Sequence, residues 1–220
     1  MSDDLKDANE AYFKGDYKSA LKKFRLLAEQ KDAHSQYSLG VMYLNGRGIT
    51  KDYNEAIRWF MLSAEQEFPK AQHNLGVIYD QGLGVSRDHV EAIKWFRLSA
   101  DQGFNWAQHN LGKMYADGHG VDQDYGEAIK WFRLSALQGN DRAATNLGVM
   151  YYSGNEVVKW MRLAAEHGYA LAQYRLGTIY HAGKNVEQDL KEAAKWYKLA
   201  AEQGNADAQI NLGKLNIGDD

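Results

Sequence analysis

The dipeptide Leu-Gly recurs at Leu39-Gly40, Leu75-Gly76, Leu111-Gly112, Leu147-Gly148, Leu176-Gly177 and Leu212-Gly213, with glycine spacings of 36, 36, 36, 29 and 36 residues. A fixed period in this range restricts the chain to architectures that stack one supersecondary unit again and again, since such a unit cannot bury its apolar face alone. The fullest copy runs from Trp106 to Gly139, and the rest of the chain varies it.

Within that copy Ala107, Leu111, Met114 and Tyr115 stand at offsets 0, 4, 7 and 8, which is one face of a helix. Gly112 lets a neighbouring element come close. Gly118 and Gly120 then end the helix, because a left-handed C-terminal cap needs a residue without a Cβ or one tolerant of positive φ. The matching pairs are Gly46 with Gly48, Gly82 with Gly84, and Gly183 with Asn185. A second helix follows in each unit, opened by an expected capping box: Asp52 with Glu55, Asp88 with Glu91, Asp124 with Glu127, and Asp189 with Glu192. After it come Ala56-Ile57-Arg58-Trp59 and its equivalents at Ala92, Ala128 and Ala193, whose alanines permit close packing and whose tryptophans fill the space between units. The same acids stand three residues before Arg58, Lys94, Lys130 and Lys195, at helix ion-pair spacing, and read as a solvated face.

The predicted organisation is therefore a capping helix pair at 1–32, repeats at 33–68, 69–104, 105–140, 141–169 and 170–204, and a half repeat at 205–220. The fourth repeat is short: Gly118 to Trp131 is 13 residues, whereas Gly154 to Trp160 is 6. That loss removes either the start of the second helix or the hinge, and a local kink or tighter packing is expected there.

Several functions are disfavoured at this level. Net charge −3 and pI near 6.2 leave no basic footprint for nucleic acid or anionic lipid. No apolar run approaches the roughly 18 residues of a membrane span, and the absence of cysteine removes disulfides, thiolate metal sites and cysteine nucleophiles. The glycine hinges close helices instead of opening them after a strand, so no phosphate loop or cofactor is implied. His73 and His109 lie on adjacent helices about 8 to 10 Å apart, too far to share zinc. Asp122, Asp124, Gly126 and Glu127 fall short of a calcium loop. No arrangement of nucleophile, base and acid suggests catalysis. The acidic opening MSDDLKDANE has no signal-peptide character, which fits a cytoplasmic protein, or a periplasmic or secreted one from which a leader was removed.

The NLG of the first helix, the tyrosine three residues after its glycine (Tyr43, Tyr79, Tyr115, Tyr151, Tyr180), the hinge glycines, the EAxKW second helix and the closing AEQG together resemble the Sel-1-like repeat family, a relative of the tetratricopeptide repeat. The opening pair, with its Gly15-Asp16-Tyr17 turn and Ala20, resembles the tetratricopeptide repeat itself. For this chain the resemblance implies an all-α, right-handed α-solenoid of stacked antiparallel helix pairs, with first helices lining a concave side and a role as a non-catalytic scaffold for other proteins. Some secreted members carry a disulfide in every unit, and those cysteines are absent here.

Counted from the resemblance, the position two before each Leu-Gly faces the groove: Tyr37, His73, His109, Thr145, Tyr174 and Ile210. Lys113 comes from a second column, and Asp80, Tyr152 and His181 from a third near the hinge. Large amphipathic side chains anchor peptides, so Tyr37, His73, His109, Tyr152 and Tyr174 are expected to hold a protein or peptide segment. Asp80 and Lys113 would choose among charged partners, and Trp106, alone of its kind at its position, is a further candidate. The alternative expectation is a carbohydrate- or cell-wall-associated protein, since Tyr, Trp and His rings stack on sugars; a weak hydrolase is remote. The apolar C-terminal helix with Ile210, Leu212, Leu215 and Ile217 could support self-association.

Overall fold

The computed structural model describes residues 2–150, 156–166, 168–183 and 186–215, with the side chains of Glu156, Val157, Trp160 and Leu163 outside that description. Among the described residues there are thirteen helices and no strand, the all-α repeat fold that the periodicity demands. Contacts gather in two units, Met1–Gln123 and Asp124–Asp220. The first holds α1 (Asp3–Phe13), α2 (Tyr17–Glu29), α3 (Ala33–Asn45), α4 (Tyr53–Ala64), α5 (Pro69–Gln81), α6 (His89–Asp101) and α7 (Asn105–Asp117). The second holds α8 (Tyr125–Ala136), α9 (Asp141–Met150), α10 (Glu156–Glu166), α11 (Ala170–Ala182), α12 (Leu190–Glu202) and α13 (Ala206–Lys214).

Within a repeat the two helices meet at the Leu-Gly pair. Leu39, Leu75, Leu111, Leu147 and Leu176 are fully buried. A Cβ on Gly40 would come within 2.5 Å of the Phe60 ring, one on Gly76 within 2.5 Å of Phe96, and one on Gly177 within 2.6 Å of Tyr197. Glycine is thus required there for lack of bulk. In these three the partner is the aromatic residue just after Trp59, Trp95 and Trp196, and Phe60, Phe96 and Tyr197 are all but completely buried. Each such ring stabilises the fold by about 1.5 to 3 kcal/mol through burial. The tryptophans look outward to the preceding unit: Trp59 joins the core made by Phe24, Leu27 and Leu39, and Trp95 packs against the one around Phe60 and Leu75.

The hinge glycines divide their work. Gly46, Gly82, Gly118 and Gly183 are left-handed C-caps. The second glycine also has positive φ, but a Cβ on Gly120 would strike the His89 backbone at 2.5 Å, so its role includes seating the hinge on the preceding repeat.

Half of the expected capping box is present. The Asp52, Asp88, Asp124 and Asp189 carboxylates each accept a hydrogen bond from the amide three residues on, at 3.1, 2.9, 3.0 and 2.9 Å. The glutamates do not complete the box. The backbone N–H of Asp52, Asp88 and Asp189 already donates to the carbonyl of Tyr43, Tyr79 and Tyr180 respectively. That ties these three second helices to their own first helices and leaves Glu55, Glu91 and Glu192 free to pair with Arg58, Lys94 and Lys195; Glu127 pairs with Lys130 in the same way.

In the shortened fourth repeat α10 keeps 11 residues against 12 in α8. Trp160 follows the start of α10 by 4 positions where Trp131 follows that of α8 by 6, so most of the loss falls in the hinge. The helix pair survives, since Gly148 still abuts the Met161 side chain. Tyr151 to Asn155, where the kink is expected, lie outside the described residues, as does Asn185. At the far end α13 packs on α12 through buried Ala208, with Leu212 and Leu215 half-buried and Ile210 exposed; Ile217 is outside the description.

Candidate functional site

Two hydrogen-bonded ladders run through the first unit. The inner one uses glutamines. Buried Gln36, Gln72 and Gln108 donate through Nε2 to the carbonyls of Ala28, Ala64 and Ala100, which close the preceding second helices. Gln66 and Gln102 then donate to the Oε1 of Gln36 and Gln72, both at 2.7 Å. Unpaired buried carbonyls are costly, so these side chains act as glue between repeats. In the second unit Gln173 and Gln203 repeat the arrangement.

The outer ladder lies on the first-helix side and contains the predicted groove column. His109 Nδ1 lies 3.3 Å from Asn110 Oδ1, and Asn110 Nδ2 donates to His73 Nε2 at 3.1 Å. His73 Nδ1 in turn donates to Asn74 Oδ1 at 3.3 Å, and Asn74 hydrogen-bonds the Tyr37 side chain. These partners place the His73 proton on Nδ1 and keep the ring neutral. Burial pushes its pKa down to about 4. The ring also packs against Phe96 and Phe104, with centroids 5.8 and 5.3 Å away.

Such placement corrects the expectation of projecting anchors. His109 is only 6% exposed, and Thr145 is buried as well. His73 and Tyr37 are half-buried, with the Tyr37 ring set between Phe60 and Phe68 at 5.9 and 5.3 Å. A position two before Leu-Gly points at the boundary between adjacent first helices, so a large ring there packs against the next repeat. In the second unit Tyr174 and His181 are half-buried, each against Tyr197, whose hydroxyl lies 3.4 Å from His181 Nδ1. Tyr152 lies outside the described residues.

Three predicted residues do reach solvent on the first unit. Trp106 is 46% exposed in the first turn of α7, and Lys113 is exposed two turns further on, at helical spacing that puts both on one face. Asp80 sits at the end of α5, its Oδ1 3.0 Å from His89 Nδ1, and the His89 ring stacks on His119 at 4.8 Å. Asp80, Lys113, Asn110 and the two histidines line a charged cavity of about 350 Å³. Tyr37, with Tyr12, Phe13, Phe24 and Val41, lines a mainly apolar cavity of about 460 Å³ between the α1–α2 pair, expected from the sequence to be a cap, and the first repeat. Sequence reasoning missed the asparagine and glutamine ladders. Their signal in the sequence is the recurring Ala-Gln and Asn of AQHNLG, at 71–76 and 107–112.

Among the described residues no group of three His, Asp or Glu side chains could hold a metal ion, and no helix is long and apolar enough to cross a membrane. Helix pairs joined by repeated seams, carrying an interrupted face of rings and charges, define an α-solenoid repeat protein. The Sel1 repeat profile matches residues 33–68, 69–104, 107–140, 141–169 and 170–205, and the chain belongs to that family. Its repeats generally mediate protein–protein interactions and form non-catalytic scaffolds. Similar solved structures include a protective antigen present in uropathogenic Escherichia coli strains displaying an SLR fold, 38% identical with a TM-score of 0.90, covering 94% of this chain and 47% of that one. Another is a Sel1 repeat protein from Oxalobacter formigenes, 32% identical with a TM-score of 0.87, covering 100% of this chain and 93% of that one. The chain thus spans about half the length of the antigen. No curated protein matches it.

Proposed function

We propose that the chain is a non-catalytic adaptor that captures a segment of another protein along the first-helix side of its first unit. Trp106, Lys113, Asp80 and the open edge of Tyr37 make contact. His73 and His109 shape the surface from beneath. The observation that carries this reading is the pair of cavities on that side, one apolar and one charged, of about 460 and 350 Å³. That size range suits inserted side chains, and the spread of both chemistries along one face suits a peptide more than a single small molecule. Sugar stacking needs open ring faces, whereas the half-buried Tyr37 ring is covered by the tilted rings of Phe60 and Phe68; this favours protein over carbohydrate.

The test is affinity capture by the intact chain against a Trp106→Ser, Lys113→Glu variant, both positions being solvent-exposed and outside the ladders. With helicity and melting unchanged, a partner held by the parent chain should be lost at least tenfold by the variant, as for an interface anchor. Retention of the same set by both would overturn the reading. Changing Tyr37, His73 or His109 would not serve, because their loss disturbs packing.

A further inference from the structure

Resting on that reading, we infer that the apolar cavity beside the capping pair is the anchor point for an internal partner segment pairing a large apolar side chain with an adjacent carboxylate. Its floor and walls are Phe24, Val41 and the rings of Tyr12 and Tyr37, a lining that excludes a charged occupant from the interior. At about 460 Å³ it has room for an aromatic side chain and part of its backbone. Phe13 stands at the mouth with 83% of its surface exposed at the end of α1, apolar area that a bound segment would cover.

The charge at the rim is one-sided. Lys70, in the first turn of α5, makes no ion pair among the described residues. It also sits where a helix dipole disfavours a cation, so helix stability does not explain it. The lining's one imidazole, His34, is held below the usual imidazole range by burial, with Asp32 opposing and Lys70 adding to the effect; its Nε2 lies 3.4 Å from Asn9 Oδ1. At neutral pH the rim therefore carries a single positive charge and no negative one among the lining residues. A carboxylate is its complement. An internal segment, with its carboxylate on a side chain, can run on in both directions, one of which leads along the same side of the unit past His73 to the second cavity at Asp80 and Lys113.

The probe is acetyl-Ser-Gly-Phe-Glu-Gly-Ser-amide, titrated into the isotope-labelled intact chain while backbone amide shifts are followed. Shifts should centre on Asn9, Ser38 and Val41. Replacing Phe by Ala in the peptide should weaken binding more than tenfold, and replacing Glu by Gln should weaken it about threefold, the effect of an exposed ion pair. Lys70→Gln in the protein should erase the Glu–Gln difference, and Phe13→Ser should weaken both peptides; both residues are exposed, so folding is spared. Equal binding of Glu and Gln peptides overturns the charge assignment, and tighter binding of a peptide ending in a free Phe carboxylate overturns the internal-segment assignment. Shifts confined to the Trp106–Lys113 side overturn the anchor while leaving the adaptor reading standing. A silent titration overturns the anchor outright, with the capture experiment then deciding the wider reading separately.

Discussion

The two sides of the first unit are built from the same repeats and behave oppositely. On the second-helix side Glu55 with Arg58 and Glu91 with Lys94 form the same exposed ion pair, at 3.0 and 2.8 Å, and Glu127 with Lys130 and Glu192 with Lys195 do so in the second unit. On the first-helix side one structural position holds Tyr37, His73 and His109 in turn, each with its own partners. Solvent-exposed pairs contribute a few tenths of a kcal/mol each, so that side can repeat a single solution without consequence. The other side varies where it is half-buried, and there a change of residue alters a network, a cavity and the face a partner would meet.

The largest separation between the sides should appear with pH. His73 is neutral in the fold with a pKa near 4, against 6.5 in the unfolded chain. Above 6.5 the fold keeps its full stability from this group. As pH falls from 6.5 towards 4 the unfolded chain takes up a proton that the folded one refuses, and stability falls by up to about 3 kcal/mol. Urea midpoints between pH 7 and 4.5 should show that slope in the parent and not in His73→Gln; equal slopes would mean the ring titrates normally. Next in size is the seam that joins the sides. Gly76→Ala drives a methyl into the Phe96 ring and should cost about 2 kcal/mol. In the Phe96→Leu background the same change should cost clearly less, and strict additivity of the two would show that they do not touch. The smallest effect belongs to the second-helix side, where Glu91→Gln should shift stability by less than about 0.5 kcal/mol, vanishing in 1 M salt. A loss of 2 kcal/mol there would erase the contrast.

A related effect sits between repeats. Gly103, Gly139, Gly168 and Gly204 close their units with positive φ, and at the same step of the first units stand Lys31 at 65° and Glu67 at 60°. A side chain in the left-handed region costs about 1 kcal/mol, so those two turns hold a local strain that the later ones lack.

What the sequence by itself determined is whatever depends on local spacing. Helix faces, the aspartate N-caps, the left-handed glycines and the Glu–Lys pairs all arise within a few residues of each other, and the repeat period makes the stacking unavoidable. Tertiary structure alone decided what lies between helices. The sequence could not tell that Asp88 N–H would be taken by the Tyr79 carbonyl, so that Glu91 does not complete the capping box, because the competing acceptor comes from another helix. Nor could it tell that His109 would be buried while Trp106 and Lys113 are exposed: periodicity assigns a residue to a face, but the distance to the neighbouring helix settles whether that face is open to water or closed by it.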